Sequence, residues 1–464
     1  MILGYNTIVK KYLVLFVLSY LRFFAKKTLK KNKPFIIGVA GSVGKSSFKN
    51  ALYAILKNYD KTLALSGNSE TGIPLSILGL HAKDYTYKDW LINILKAPFQ
   101  GSFLKNYKYL IVEMGIDDPF PPKNMDYLLT ILQPDIAVNL NVSATHTMQF
   151  EKAISDPKKR TIKNLIDLIA FEDTKIITKS GCKVGIYNSD NPFIVKYIEK
   201  FRKENKDKTL MSFGSNKNDS IRLISYEVSL KKTKFTFKLY EKNVREFTVT
   251  LRNLCLPKAY SATFEAAILA ARSLKVPLKV IQTGLEENFS LPKGRAGTFD
   301  GIKGSFIIDS TYNASKESML TFLELLGTLR KQTKRPAVFV FGDMRELGSA
   351  AKEEHEEVAR FAMENANFIY TLGPQTQEYV LPILKNSNKR IYKDSSKNSV
   401  QLGLHLKESL PENAIILFKG SQNEIFLEEA VKFVLENQND EKNLCRQSEY
   451  WKNVKAQYFN LNSN

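Results

Sequence analysis

Cysteine is scarce in this 464-residue chain, which has only Cys182, Cys255 and Cys445, far apart and odd in number. That excludes a disulfide framework and a cysteine-built zinc site, and it implies a reducing compartment. Histidine is nearly as rare, at four residues, so a histidine inside a motif is more informative than usual. No apolar run reaches the ~20 residues that a helix needs to span a bilayer. The candidate run, YLVLFVLSYL (12–21), is interrupted by Arg22 before Phe23 and Phe24. No small-residue cleavage site follows it, which argues against a signal peptide. There is no internal repeat and no low-complexity segment.

Acidic residues are also in deficit, 47 against 68 Lys and Arg, for a formal net charge of +21. Residues 1–33 hold eight Lys or Arg and no acid. Lys outnumbers Arg, and no patch interleaves Arg with aromatic residues, so no nucleic-acid partner is expected. The basic, apolar N-terminal segment has two main readings: a helix packed on the protein's own surface, or a helix lying on the cytoplasmic leaflet with its lysines at anionic headgroups. The second is the one taken here, as peripheral membrane contact through residues 1–33 of a cytoplasmic protein. A tilted span is the third.

What is present is ordinary globular material, 44% hydrophobic and 25% charged, long enough for two or three domains. PFIIGVA (34–40) reads as a buried strand. Phe48, Ala51, Leu52 and Ile55 then recur on one helical face. Further apolar runs at 109–115, 135–140 and 183–188 alternate with helical or polar stretches, predicting a mostly parallel sheet covered by helices. Residues 221–252 alternate apolar and polar residues, predicting antiparallel strands, and a helix is expected at about 259–274. Beyond LPKGRAG (291–297) a second series begins at 306–310, 337–343, 368–373 and 414–420, as in an open doubly wound sheet. The expected class is α/β: a central P-loop ATPase domain (34–293) after the N-terminal segment (1–33), then a Rossmann-like C-terminal domain (294–464). The polar tail after about 438 is expected to be partly disordered.

Between the first strand and helix lies GVAGSVGKSS (38–47). Its glycines can turn backbone N–H groups toward phosphate oxygens, and the following helix adds its positive dipole end. Lys45 can reach the β- and γ-phosphates, and the Ser46 hydroxyl can ligate Mg²⁺. The usual phosphate loop would place a glycine at Val39; here the glycines are Gly38, Gly41 and Gly44.

That offset pattern resembles the ATP loop of the Mur ligase family. GNSETGIPLSIL (67–78), YLIVEMG (109–115), the segment ending NVSATH (141–146), LPKGRAG, IIDSTYNASKESM (307–319), FGDMRELG (341–348) with His355, and FKGS (418–421) resemble its later motifs in order. The resemblance covers nearly the whole chain from residue 34. The STYNAS and GDMRELG stretches point to the branch that adds D-alanyl-D-alanine to a muramoyl tripeptide. The implied cofactors are ATP and Mg²⁺, the implied partners a muramoyl-peptide acceptor and D-alanyl-D-alanine, and a monomer is expected. The implied reaction phosphorylates a carboxylate, and an amine then attacks the acyl phosphate.

The same resemblance implies roles by residue. Gly41, Ser42, Val43, Gly44, Lys45, Ser46, Ser47 and Asn68 would hold the nucleotide, with Glu70 and Thr71 beside them. Ser46, Glu113 and His146 would hold metal. Lys175 would carry a carbamate that orients a second metal, an ordinary solvent lysine being the alternative. Arg295, Asp309 and Asn313 would meet the nucleotide from the C-terminal domain, and Lys419 would face the incoming carboxylate or serve only as a strand end.

The sequence departs from the pattern in places. About 33 residues precede the loop where the branch carries a UDP-sugar domain, which implies either a different hold on the acceptor or a different acceptor. The family's Gly-x-His-Asn-x-x-Asn reads PKAYSAT (257–263), the motif's second Asn and Pro are Ser315 and Lys316, and Gln422 replaces an Arg. Two alternatives follow: a related ligase of the polyglutamate or folylpolyglutamate synthase kind, or a catalytically silent nucleotide-binding partner.

Overall fold

The computed structural model describes residues 2–81, 86–144, 147–205, 207–241, 243–387, 392–396, 398–421 and 424–461. After helix α1 (Ile2–Asn32) the chain alternates strand and helix: β1 (Phe35–Ala40), α2 (Lys45–Leu56), β2 (Thr62–Ala64), α3 (Gly72–Ile77), α4 (Tyr87–Lys96), β3 (Tyr109–Glu113), α5 (Met125–Ile131) and β4 (Ile136–Asn139). It continues through α6 (Thr147–Phe150), α7 (Ile162–Thr178), β5 (Val184–Asn188), α8 (Pro192–Glu204), β6 (Thr209–Phe213), β7 (Ile221–Ser229), β8 (Lys232–Leu239) and β9 (Arg245–Arg252). Helices α9 (Tyr260–Ser273) and α10 (Leu278–Asn288) close this part.

These strands make one nine-stranded sheet in the order β2-β3-β1-β4-β5-β6-β7-β8-β9. It is parallel as far as β7, then antiparallel across β8 and β9. The 221–252 hairpins therefore extend the parallel sheet. Period-2 patterning explains why: Thr233, Phe235, Phe237 and Leu239 of β8 are buried, and their neighbours lie outside. Chain order reverses at β1, whose neighbours are β3 and β4, and ligands of open α/β sheets bind at such switch points. On one face, α2, α9 and α10 pack a core around Phe48, Leu52, Ile55 and Phe264. On the other, α3, α5, α7 and α8 pack a second. Each large apolar side chain so buried contributes about 1.5–3 kcal/mol.

The second sheet follows: β10 (Gly297–Gly301), β11 (Ser305–Ser310), α11 (Lys316–Thr333), β12 (Ala337–Gly342), α12 (Ala351–Asn365), β13 (Phe368–Leu372), α13 (Leu381–Lys385), β14 (Tyr392–Ser396), α14 (Ser399–Ser409), β15 (Ile415–Lys419) and α15 (Glu428–Lys432). Its order is β10-β11-β15-β12-β13-β14, parallel except for β10. Ser315 shows why α11 starts where it does. Its hydroxyl accepts from the Ser318 N–H, and the Ser318 hydroxyl accepts from the Ser315 N–H, a reciprocal cap.

Two expectations change. The tail is not a loose polar end: α16 (Glu449–Leu461) packs Trp451, Tyr458 and Phe459 around Phe426. Arg446 and Lys455 bind the fully buried Glu428 at 2.6 and 2.9 Å, anchoring that tail on α15. For α1, Leu18, Leu21, Ala25 and Thr28 form one buried helical face against α3 and neighbouring elements. This half packs on the protein's own surface, whereas Tyr12 to Phe16 are exposed. No described helix is long and apolar enough to cross a membrane.

Candidate active site

The glycine loop leaves the C-terminal end of β1, at the switch point. Gly41 has φ +133°, and a Cβ there would lie 3.0 Å from the Asn141 carbonyl oxygen. Only glycine therefore lets the loop lie against the strand exit of β4. Ser42 completes the junction: its N–H donates to Asn141 O at 2.7 Å, and its hydroxyl accepts from Ser143 N–H at 3.1 Å. Gly44, at φ +93°, precedes α2. The orphan N–H groups of the first turn of α2 thus point where phosphate oxygens can be held. The Lys45 ammonium folds back onto the Gly41 carbonyl of the same loop.

Glu113 ends β3 and pairs in register with Val39. That register carries its carboxylate to the loop, where it is buried. One oxygen accepts from the Ser46 hydroxyl at 3.0 Å. The other meets the Lys49 ammonium at 2.8 Å, and Lys49 also donates to the Leu65 carbonyl at 2.8 Å. Among the described residues no cluster of three His, Cys, Asp or Glu could hold a metal alone. Ser46 and Glu113 do fit Mg²⁺, which takes one or two hard oxygen ligands from protein and completes its shell with phosphate oxygens and water.

The second sheet contributes its strand ends. Asp309 on β11 is fully buried. Its Oδ1 accepts from the Thr311 N–H at 3.1 Å and hydroxyl at 2.6 Å, and its Oδ2 has no partner. Burial pushes its carboxyl up to about 6, opposed by the Thr311 hydrogen bonds. Lys419, ending the neighbouring β15, pairs in register with Ser310. Its ammonium donates to Ser310 Oγ at 3.1 Å and Asn313 O at 3.0 Å. Burial pushes it down to about 7, helped by the Arg295 charge and opposed by Asp309. The Arg295 guanidinium lies 4.7 Å from the Tyr312 ring centroid. Its charge also acts on Tyr260, the first residue of α9, whose phenol meets the Ser47 hydroxyl. Ser47, Tyr260 and Arg295 thus connect the phosphate loop to the second sheet. A second junction joins Thr147 Oγ1 to Leu347 O at 3.2 Å and Ser349 Oγ to Glu151 at 3.0 Å.

Residues 39–254 match the family model described as Mur ligase middle domain. Residues 294–422 match that of Mur ligase, glutamate ligase domain. The chain belongs to the Mur ligase family. A curated relative from Buchnera aphidicola subsp. Baizongia pistaciae, named UDP-N-acetylmuramoyl-tripeptide--D-alanyl-D-alanine ligase, is 28% identical over 86% of this Mur ligase and 75% of its own length. One of the same name from Rickettsia prowazekii is 26% identical over 84% and 76%. The structure of MurF ligase from Thermotoga maritima in complex with ADP shares the fold, with a TM-score of 0.70 at 23% identity over 91% of this chain and 84% of that one.

Most of the residues singled out in this Mur ligase converge. Gly41 to Ser47 and Glu113 form one cluster. Asn68 is tied to it through its carbonyl, which accepts from Gly115 N–H just past β3 at 2.9 Å. Glu70 and Thr71 lie on the same loop before α3, and Glu70 acts electrostatically on Tyr127 of α5. Arg295, Asp309 and Lys419 gather around the C-terminal ends of β11 and β15. Asn313 contributes its carbonyl to Lys419, while its own side chain accepts from Ala314 N–H. His146 lies outside the described residues.

Lys175 does not join the cluster. Its buried ammonium meets Glu172 on the same helix and Asp126 of α5 at 2.7 Å, so it is not a solvent lysine. His355 is a structural pin. Its Nε2 accepts from Met344 N–H at 3.0 Å and its Nδ1 pairs with Ala351 O at 2.7 Å, and burial lowers its pKa. Sequence reasoning missed Lys49, Tyr260 and Asn139. Lys49 sits one turn after Lys45, a signal that was available. Tyr260 falls in the PKAYSAT stretch that departs from the family pattern. Asn139, beside Ala40 in register, is fully buried with both amide atoms unpartnered.

Proposed function

We propose that this chain is an ATP-dependent amide ligase that joins D-alanyl-D-alanine to the terminal carboxylate of a muramoyl tripeptide. The observation that carries the reading is that relatives bearing that activity in their names align across both sheets and three-quarters of their own length. The arrangement suits the chemistry. Transfer of a phosphoryl group to a carboxylate, and attack of an amine on the acyl phosphate, need charge neutralised more than they need a protein nucleophile.

In this reading the backbone N–H groups of 41–47 hold the triphosphate, and Lys45 exchanges the Gly41 carbonyl for phosphate oxygens. Glu113, fixed by Lys49, keeps the Ser46 hydroxyl in place. Ser46 and Glu113 would hold a magnesium ion, which when bound would supply Lewis-acid charge for the transferring group. Arg295 brings positive charge from the second sheet. The unpartnered Asp309 oxygen offers a buried acceptor to a hydroxyl or amine donor. The Lys419 ammonium faces the carboxylate of the incoming dipeptide. Packing the two sheets' edges together excludes water from the acyl phosphate, which would otherwise hydrolyse. In this reading one chain supplies both halves of the site and works as a monomer on soluble substrates in the cytoplasm.

The test is phosphate release and amide formation by purified chain with ATP, Mg²⁺ and UDP-N-acetylmuramoyl tripeptide, offering D-alanyl-D-alanine or glutamate. Strict dependence on the dipeptide supports the reading. Stimulation by glutamate, or nucleotide binding with no turnover on any acceptor, refutes it.

A further inference from the structure

More than half of the large apolar side chains exposed among the described residues fall in α1 and in the 87–103 stretch. On α4 they form a line: Tyr87, Leu91 and Leu95, continued by Phe99 in the turn that follows, recur every fourth residue. Their exposures run from 58% for Leu91 to 90% for Tyr87. The opposite side of the same segment, Trp90, Asn93 and Ala97, is the packed one. Every-fourth spacing keeps a helix's residues on one side, so α4 is two-sided in hydrophobicity, with one apolar face in the core and the other outside.

The two helices are adjacent. Tyr20 of α1 donates to the Ile94 carbonyl of α4 at 3.2 Å, and Val17, Tyr20 and Phe24 pack beside Trp90. Ring contacts continue along α1 from Phe16 through Tyr20 and Phe24 to Phe23, at 4.9–6.3 Å between centroids. The exposed end of α1 and the outward line of α4 are therefore parts of one region.

We propose that this region is a docking surface for an anionic lipid bilayer. It stands independently of the ligase reading. Three observations select lipid over a protein groove or a second copy. First, Tyr12 to Phe16 are five consecutive exposed apolar residues. At 100° each they occupy every side of the helix, which no one-sided groove can cover but a surrounding apolar medium can. Second, residues 1–33 carry eight basic side chains and no acid, with Lys26, Lys27 and Lys30 exposed just beyond the apolar end, the arrangement that complements anionic headgroups. Third, the apolar part of α1 from Tyr12 to Phe24 is about 20 Å long, short of the ~30 Å hydrocarbon core. Its length suits entry into one leaflet. Half of the exposed large apolar residues in these two stretches are aromatic, as expected where rings settle at the headgroup boundary.

The test is sedimentation of the full chain with vesicles of phosphatidylcholine alone or of phosphatidylcholine and phosphatidylglycerol at 7:3. Wild-type protein is expected to sediment with the anionic vesicles, and to release as NaCl rises from 0.1 to 0.5 M. The double variant L95E/F99E, at the exposed end of α4 and in the turn after it, and separately F16E, should bind at least tenfold more weakly while ADP affinity stays unchanged. Three results would overturn the proposal: wild-type protein remaining in the supernatant with anionic vesicles, α4 variants that bind as well as wild type, or a lipid-free dimer that the same substitutions abolish.

Discussion

Replacing Lys419 by Met should stabilise the fold at neutral pH, and the gain should shrink as pH rises. The Lys419 ammonium is 2% exposed, and burial pushes its pKa down from 10.5 to about 7. A lysine whose folded value lies below its unfolded value binds its proton more weakly in the native state, so the native state carries a penalty. That penalty is complete below about pH 7 and is relieved as pH climbs toward 10.5. With these two values it is about 4 kcal/mol at pH 7 and about 2 kcal/mol at pH 9. Cancellation by the lost hydrogen bonds to Ser310 and Asn313 does not depend on pH over this range, so the difference between the two proteins isolates the titration. Urea unfolding of wild type and K419M at pH 7, 8 and 9 should therefore show the variant's advantage falling by about 2 kcal/mol. A pH-independent offset would refute the reasoning. The variant should also lose ligation, because in the proposed role the ammonium faces the dipeptide carboxylate.

Glu113→Gln should lower ligation by about 100-fold or more, and should weaken ADP binding in Mg²⁺ but not in EDTA, as read by calorimetry. Gly67→Ala places a Cβ 2.1 Å from the Gly72 carbonyl, so thermal unfolding should show a loss of at least about 1 kcal/mol. Arg446→Met leaves the fully buried Glu428 with only Lys455; chemical denaturation should show about 3–5 kcal/mol lost, largely recovered in R446M/E428Q. Carbamylation of Lys175 predicts that ligation falls when bicarbonate is removed and recovers when it is restored; unchanged rates would leave it the ammonium that meets Glu172 and Asp126.

The elements legible in the sequence are those whose patterning is local. β1, β3, β4 and the four apolar strands of the second sheet are short runs of buried residues, and each appears within two residues of its expected bounds. The glycine loop was readable because its chemistry demands residue types at fixed spacing. What escaped depends on distant partners. β2 is three residues, Thr62–Ala64, and exists because β3 pairs with it. α16 lies in a polar segment and is held by Phe426 and Glu428, contacts that no window around it contains. Lys175 stood at a motif position, and its burial beside Asp126, 49 residues earlier, is a contact that no local window contains. Alpha-1 divides at about Val17 between packed and exposed, a division set by the position of α3 and α4.

The departures from the family pattern acquire a physical sense when placed on the fold. Ser315 and Lys316 replace an Asn-Pro pair, and Ser315 closes the reciprocal cap of α11 while Lys316 reaches Glu357 at 3.0 Å. The helix start is preserved by other means. PKAYSAT loses a His and Asn, yet Tyr260 from that stretch stands between Ser47 and Arg295. Ser47 belongs to the phosphate loop, and Arg295 opens the second sheet beside Tyr312 and Lys419. Tyr260 therefore occupies the point where the two halves of the site feel each other's charge. Of the substitutions, PKAYSAT is the one that lies where the halves meet, while the loop residues proposed to hold phosphate keep the family's types. Selectivity particular to this chain is then to be sought at the junction of the two sheets.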